Sequence, residues 1–175
     1  MRLTLVAGSE LPGHLLSDTE HTLRHVGWLG VRRRVVAFPP LHVLHFDGVV
    51  PPVTLTHAGH DHERMLADLR TGWITLGVCC ALDEDAPDVP GQIDPALAAV
   101  ALLRASPSEE DVDDLPAALT SRATLLLRRP DAPLPPGLTQ VAAALGLPPG
   151  VTTRHAVTRA ARLLGLTLLP GAEHD

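Results

Sequence analysis

Residues 56–63 read Thr-His-Ala-Gly-His-Asp-His-Glu, three histidines and two acids in eight positions. Neutral imidazoles and carboxylates bind Zn, Ni and Fe, and the same groups transfer protons near neutral pH. A catalytic metal site needs about three such ligands and one open position. The cluster follows the apolar run Val49-Val50-Pro51-Pro52-Val53-Thr54-Leu55, so it reads as the end of a strand, where α/β proteins tend to place their sites. If a helix starts near Gly59, His57 projects from the strand end while His60 and His62 occupy the first helical turn. Asp61 then sits favourably in the field of the helix dipole. Asp47 ends the preceding apolar run and, in a parallel sheet, stands beside His57. The expected site is therefore an Asp47/His57 pair from neighbouring strand ends, suited to metal binding or acid–base work. The plain alternative is a histidine-rich surface turn capped by an aspartate.

The elements that would position these residues follow from periodicity. Residues 3–7 form a short apolar run closed by Gly8, a first buried strand. Ser17 or Asp18 is placed to cap a helix carrying Leu23 and Val26. Strands are expected at 31–38, closed by Pro39-Pro40, and at 41–46, 53–56 and 73–80. From Asp61 the spacing of Met65, Leu66 and Leu69 is helical, with a stop at Thr71-Gly72. Asp94-Pro95 starts another helix over 96–104. Residues 115–127 read as helix, or as helix followed by a strand over 123–127. The proline-rich stretch 128–137 reads as a linker, and 138–146 and 152–165 as two short helices. Strands alternating with helices predict an α/β three-layer sandwich with a mixed, mostly parallel sheet. The expected domains are an α/β domain at 1–127, a linker at 128–137 and a helical C-terminal extension at 138–175.

The chain has 175 residues, 45% of them hydrophobic but only 2% aromatic, so its core is built of Leu, Val and Ala. All fourteen basic residues are Arg. The net charge of −6 argues against nucleic acid as a partner, because that binding depends on neutralising phosphates. Arg32-Arg33-Arg34 on a strand must point to both faces, which leaves a small basic spot at most. Residues 138–147 have the Ala and Gly spacing of the first half of a helix-turn-helix. Pro148-Pro149-Gly150 lengthens the turn, however, and the apolar residues beyond it read as out of phase. Packing or a protein partner is thus the expected role for 138–175. Cys79 and Cys80 follow a buried-strand pattern and read as reduced, at least one of them in the core. No apolar run reaches membrane-spanning length and no signal-peptide pattern opens the chain, so a cytoplasmic location is expected. No Walker A loop or dinucleotide fingerprint is present, so no nucleotide cofactor is expected.

The order of features resembles that of the hydrogenase maturation proteases, endopeptidases with a phosphorylase/hydrolase-like fold. The corresponding stretches are 3–8, Leu15-Leu16-Ser17-Asp18, Asp47, Thr56-His57 ahead of Met65 to Leu69, then 74–78 and 93–103. The resemblance implies that Asp18 or Glu20, together with Asp47 and His57, holds or senses a divalent metal (Ni or Zn) and that a peptide is cleaved with His60 or Asp61 assisting as catalytic residues. Gly8-Ser9-Glu10 stands where that family has a Gly-x-Gly-Asn turn. This supports a second expectation, a catalytically inactive relative that serves as a partner-binding or regulatory subunit. Ala58-Gly59-His60 and Pro12-Gly13 with His21 are also similar to segments of peptidyl-tRNA hydrolase, a hydrolase of the same fold.

Overall fold

Strand β1 (Arg2–Ala7) is buried along its whole length and is central to the first part of the molecule. It pairs antiparallel with β3 (Leu41–Val49) on one side, Leu5 opposite Leu44, and with β4 (Cys79–Asp83) on the other, Leu5 opposite Cys80. Strand β2 (Leu29–Phe38) pairs antiparallel with β3, Val35 opposite Leu44, so the sheet order is β2-β3-β1-β4. Helix α1 (Gly13–His25) links β1 to β2, and helix α2 (Gly59–Thr75) lies between β3 and β4 in sequence. This βαββαβ order, with β3 inserted between β1 and β2, is the connectivity of the ferredoxin-like split βαβ arrangement. The fold is that of a computed structural model and is described for residues 1–52, 59–84, 94–104 and 113–168.

The expected mostly parallel sheet is overturned: all four strands run antiparallel to their neighbours. The cause lies at Pro39-Pro40. Only these two residues separate β2 from β3, and so short a link permits only antiparallel pairing. The three-layer expectation fails with it, since α1 and α2 pack on the same face. Leu16 and Leu23 of α1 and Leu66 and Trp73 of α2 share one cluster with Leu3, Leu5, Leu44, Phe46 and Cys80. The Trp73 indole N–H donates to Thr19 Oγ1 at 3.0 Å, and Thr19 donates in turn to the Leu15 carbonyl at 2.9 Å. This fastens the two helices through a buried relay.

Three boundaries also differ from expectation. Helix α1 starts at Gly13 rather than after Ser17, because its buried stripe of Leu16, Thr19 and Leu23 begins a turn earlier. Ser17 sits mid-helix and donates to the Gly13 carbonyl at 3.1 Å. Helix α2 runs through Thr71-Gly72 to Thr75, since Trp73 continues the helical spacing set by Leu66 and Leu69. The chain is turned instead at Gly77 (φ +80°), where a Cβ would collide with the Asp113 carbonyl oxygen. The strand that follows is Cys79–Asp83 rather than 73–80. The expected strand at 53–56 lies outside the described residues.

The chain divides into two compact units, Met1–Asp85 with Glu110–Leu115, and Ala86–Glu109 with Pro116–Asp175. In the second, α3 (Pro95–Leu103) is capped by Asp94, whose Oδ1 accepts from the Ala96 and Leu97 amides at 2.9 and 3.3 Å. Seven of its nine residues are buried, as befits a helix that is apolar on all sides. Helix α4 (Leu115–Leu126) is continuous, with no strand over 123–127. A 3₁₀ turn (Pro136–Leu138), α5 (Thr139–Ala144) and α6 (Thr153–Leu164) complete the unit.

Candidate functional site

Helix α2 begins with the histidine cluster. His57 lies outside the described residues, as does the side chain of His60. Asp61 and Glu63 are exposed, and His62 is 4% exposed. His62, Leu66, Leu69 and Trp73 follow helical spacing, so His62 extends the buried stripe of α2 by one turn toward its start. Its Nε2 has no hydrogen-bond partner among the described residues. Two cavities border it. One of about 530 Å³ is lined by His25, Asp61, His62, Arg64 and Asp68 among others. The second, about 280 Å³, has an apolar floor of Leu3, Leu66 and Leu82 with Glu63, Arg70 and Glu84 around it.

The residues expected to gather around a metal lie apart from one another. Asp47 accepts from Arg2 Nε at 2.6 Å and lies 3.7 Å from Arg34 Nη2. Glu20 lies 3.3 Å from Arg24 and 3.4 Å from Arg33. Arg33 and Arg34 are adjacent on β2, and adjacent strand residues point to opposite faces. Glu20 therefore belongs to the helix-covered face and Asp47 to the other, with the sheet between them. Asp18 is exposed on α1. Among the described residues no three His, Cys, Asp or Glu side chains come together in a way that would hold a metal ion. These acids do not suit the metal set implied by the resemblance, because guanidinium groups already neutralise both Asp47 and Glu20.

Sequence reasoning missed the polar strip that Asp47 does join. The register aligns Arg2 and Arg32 with Asp47, and Arg34 with His45. Arg34 Nη2 is 3.2 Å from Nδ1 of His45, which is itself only 3% exposed. A guanidinium only donates, so Nδ1 presents its lone pair and the ring proton sits on Nε2. The signal was in the sequence: Arg32 and Arg34 alternate on one strand, His45 and Asp47 on the next. Cys79 and Cys80 are buried and free, as expected. Burial pushes both thiols up to about 12; the Cys80 and Asp114 charges add to the effect at Cys79, and Arg70 opposes it at both. Neither thiol is thereby suited to act as a nucleophile.

The outer side of β2 is the other notable feature. This ten-residue strand lies at one edge of the sheet, and no strand among the described residues pairs with its outer side. Arg32, Arg33 and Arg34 and a register irregularity between Leu29 and Arg32 occupy its first half. Charges and bulges of this kind discourage edge-to-edge pairing. The second half lacks them: Val35 is 77% exposed, and Val35 to Phe38 border a cavity of about 670 Å³ with Leu11, Leu16 and Leu41. No helix among the described residues is long and apolar enough to cross a membrane. Comparison with family models, characterised proteins and solved structures gives no match.

Proposed function

We propose that this chain is a non-catalytic, partner-binding α/β protein whose β2 edge receives an extended segment of a protein partner. The observation that carries this is the half-guarded edge: Arg32 to Arg34 protect one half, while the exposed Val35 and its apolar cavity leave the other half open. Strand addition uses main-chain hydrogen bonds for affinity and side-chain pockets for selectivity. A fitting segment is apolar where it meets Val35 to Phe38 and acidic where it passes Arg32 to Arg34. Peptides selected from a random library on the immobilised protein test this. The expected binders carry an acidic–apolar pattern, shift the amide resonances of Arg33 to Phe38, and weaken at least tenfold with Val35→Asp. Binders that leave those amides unmoved would overturn the assignment.

A hydrolytic role, metal-dependent or not, keeps one supporting observation: buried His62, whose Nε2 has no hydrogen-bond partner among the described residues, between two cavities beside Asp61. Titrating metal-stripped protein with Zn²⁺ and Ni²⁺, next to His57→Ala and His62→Ala, tests the metal-dependent form. Stoichiometric binding that these changes abolish would favour the enzyme, and an absence of binding heat would remove the metal from the mechanism.

A further inference from the structure

The apolar residues of α6 are in phase, contrary to expectation. Thr153, Ala156, Val157, Ala160, Ala161 and Leu164 are all buried and form one stripe. The opposite side exposes His155, Thr158, Arg159 and Arg162, spaced i, i+3, i+4 and i+7, with Arg154 half-exposed beside them. The small residues of the stripe allow close packing, and among the described residues α6 contacts α3 more extensively than any other two helices touch. The exposed face thus belongs to a well-seated helix.

The chain around it adds to this charge. The Arg154 amide donates to the Pro130 carbonyl at 2.9 Å, and the Thr153 amide and hydroxyl each donate to the Ala132 carbonyl at 2.9 Å. These bonds bring the segment just after the exposed Arg128 and Arg129 against the start of α6. Residues 116–168 contain six arginines and a single acid, Asp131, whereas residues 1–115 contain eight arginines and seventeen acids. The net charge of −6 combines −9 over residues 1–115, +5 over 116–168 and −2 over 169–175, where Glu173 and Asp175 stand. Charge asymmetry of this kind points to a polyanionic partner.

We propose that α6 is a duplex DNA-contacting helix, with Arg128, Arg129, Arg154, Arg159 and Arg162 facing phosphates and His155 and Thr158 turned toward base edges. This goes beyond the partner-binding assignment of β2 and does not depend on it. Three considerations select the occupant. The major groove of B-form DNA, about 12 Å wide, admits a helix, while the deep, narrow major groove of A-form RNA does not. A membrane-surface helix needs its apolar face for lipid, and that face of α6 is buried. An acidic protein would meet the arginines as well, but helical spacing sets Arg154 and Arg159 on either side of Thr158 and His155, which suits a helix lying between two rows of phosphates.

Fluorescence anisotropy with the full chain tests the proposal, using a labelled random-sequence 24-base-pair DNA duplex, an RNA duplex of equal length and a salt series. The DNA is expected to bind in the micromolar range at 50 mM salt and to weaken steeply by 200 mM. Arg159→Ala is expected to lower the salt slope by about 1 and to weaken binding several-fold regardless of sequence. An Arg154→Glu/Arg159→Glu/Arg162→Glu protein with an unchanged circular dichroism spectrum is expected to lose binding altogether, and Arg24→Glu on α1 to keep it. Absence of DNA binding at 50 mM salt, binding indifferent to the α6 substitutions, or RNA bound as tightly as DNA would each overturn it.

Discussion

Arginine is the only basic residue besides histidine in this chain, and it has two different fates. In the sheet unit, Arg2 and Arg34 meet Asp47, and Arg24 and Arg33 meet Glu20. Their charge is neutralised within the unit, where it fixes register and joins α1 to β2. In the helical unit, Arg128, Arg129, Arg154 and Arg159 have no carboxylate partner among the described residues, and the exposed side of α6 remains cationic. One side-chain chemistry is thus largely paired with carboxylates in the sheet unit and largely turned to solvent in the helical unit. What separates them is the local supply of acids: the sheet unit holds fourteen beside seven arginines, the helical unit six beside seven.

The contrast is most severely tested by removing neutrality inside the sheet unit. Cys79 and Cys80 titrate near 9 when unfolded and are held up to about 12 by burial. With folded values above unfolded ones, their stabilising contribution is complete below pH 9 and is lost as the pH rises toward 12. By pH 10.5 this amounts to about 2 kcal/mol per thiol. Urea unfolding across pH 8 to 10.5 should show this decline, and a Cys79→Ala/Cys80→Ala protein should lose most of the slope. Next in size is Asp47→Ala, which removes the carboxylate nearest the buried Arg2 guanidinium and is expected to lower stability by about 2 kcal/mol. A smaller effect would mean that Asp47 is held in place for something other than Arg2. Glu20→Gln is expected to cost only about 0.5 kcal/mol, because its partners Arg24 and Arg33 are solvated.

How far these two environments were legible depends on the residues concerned. The strands at 31–38 and 41–46 were plain from their β-branched and apolar content, and Asp94-Pro95 marked the start of α3 correctly. The sheet direction was legible as well, because two residues between strands dictate a hairpin. The alternation of strands with helices weighed more heavily and suggested a parallel sheet. Trp73 misled because its β-forming neighbours Ile74 and Thr75 mimic a strand, while its actual role, bonding Thr19 from the helix, depends on a contact 54 residues away. The site was harder still. Asp47 and Glu20 are separated by the two faces of a strand they do not belong to, and that separation follows from pairing rather than from spacing. The α6 stripe needed only the correct phase, set by Thr153 as the first buried position.

The smallest expected effect divides the two fates most cleanly. Arg159 makes one long hydrogen bond, 3.4 Å from its Nε to the Leu145 carbonyl, and is otherwise exposed. Arg159→Ala should therefore change unfolding free energy by no more than about 0.5 kcal/mol in urea melts, while weakening duplex binding several-fold. Arg33→Ala in the sheet unit should do the reverse in kind, losing its tie to Glu20 with no change in duplex affinity. If Arg159→Ala instead cost stability on the scale of Asp47→Ala, the arginines of α6 would be structural like those of the sheet. The six-to-one charge ratio would then describe how the helices are held together rather than what they bind.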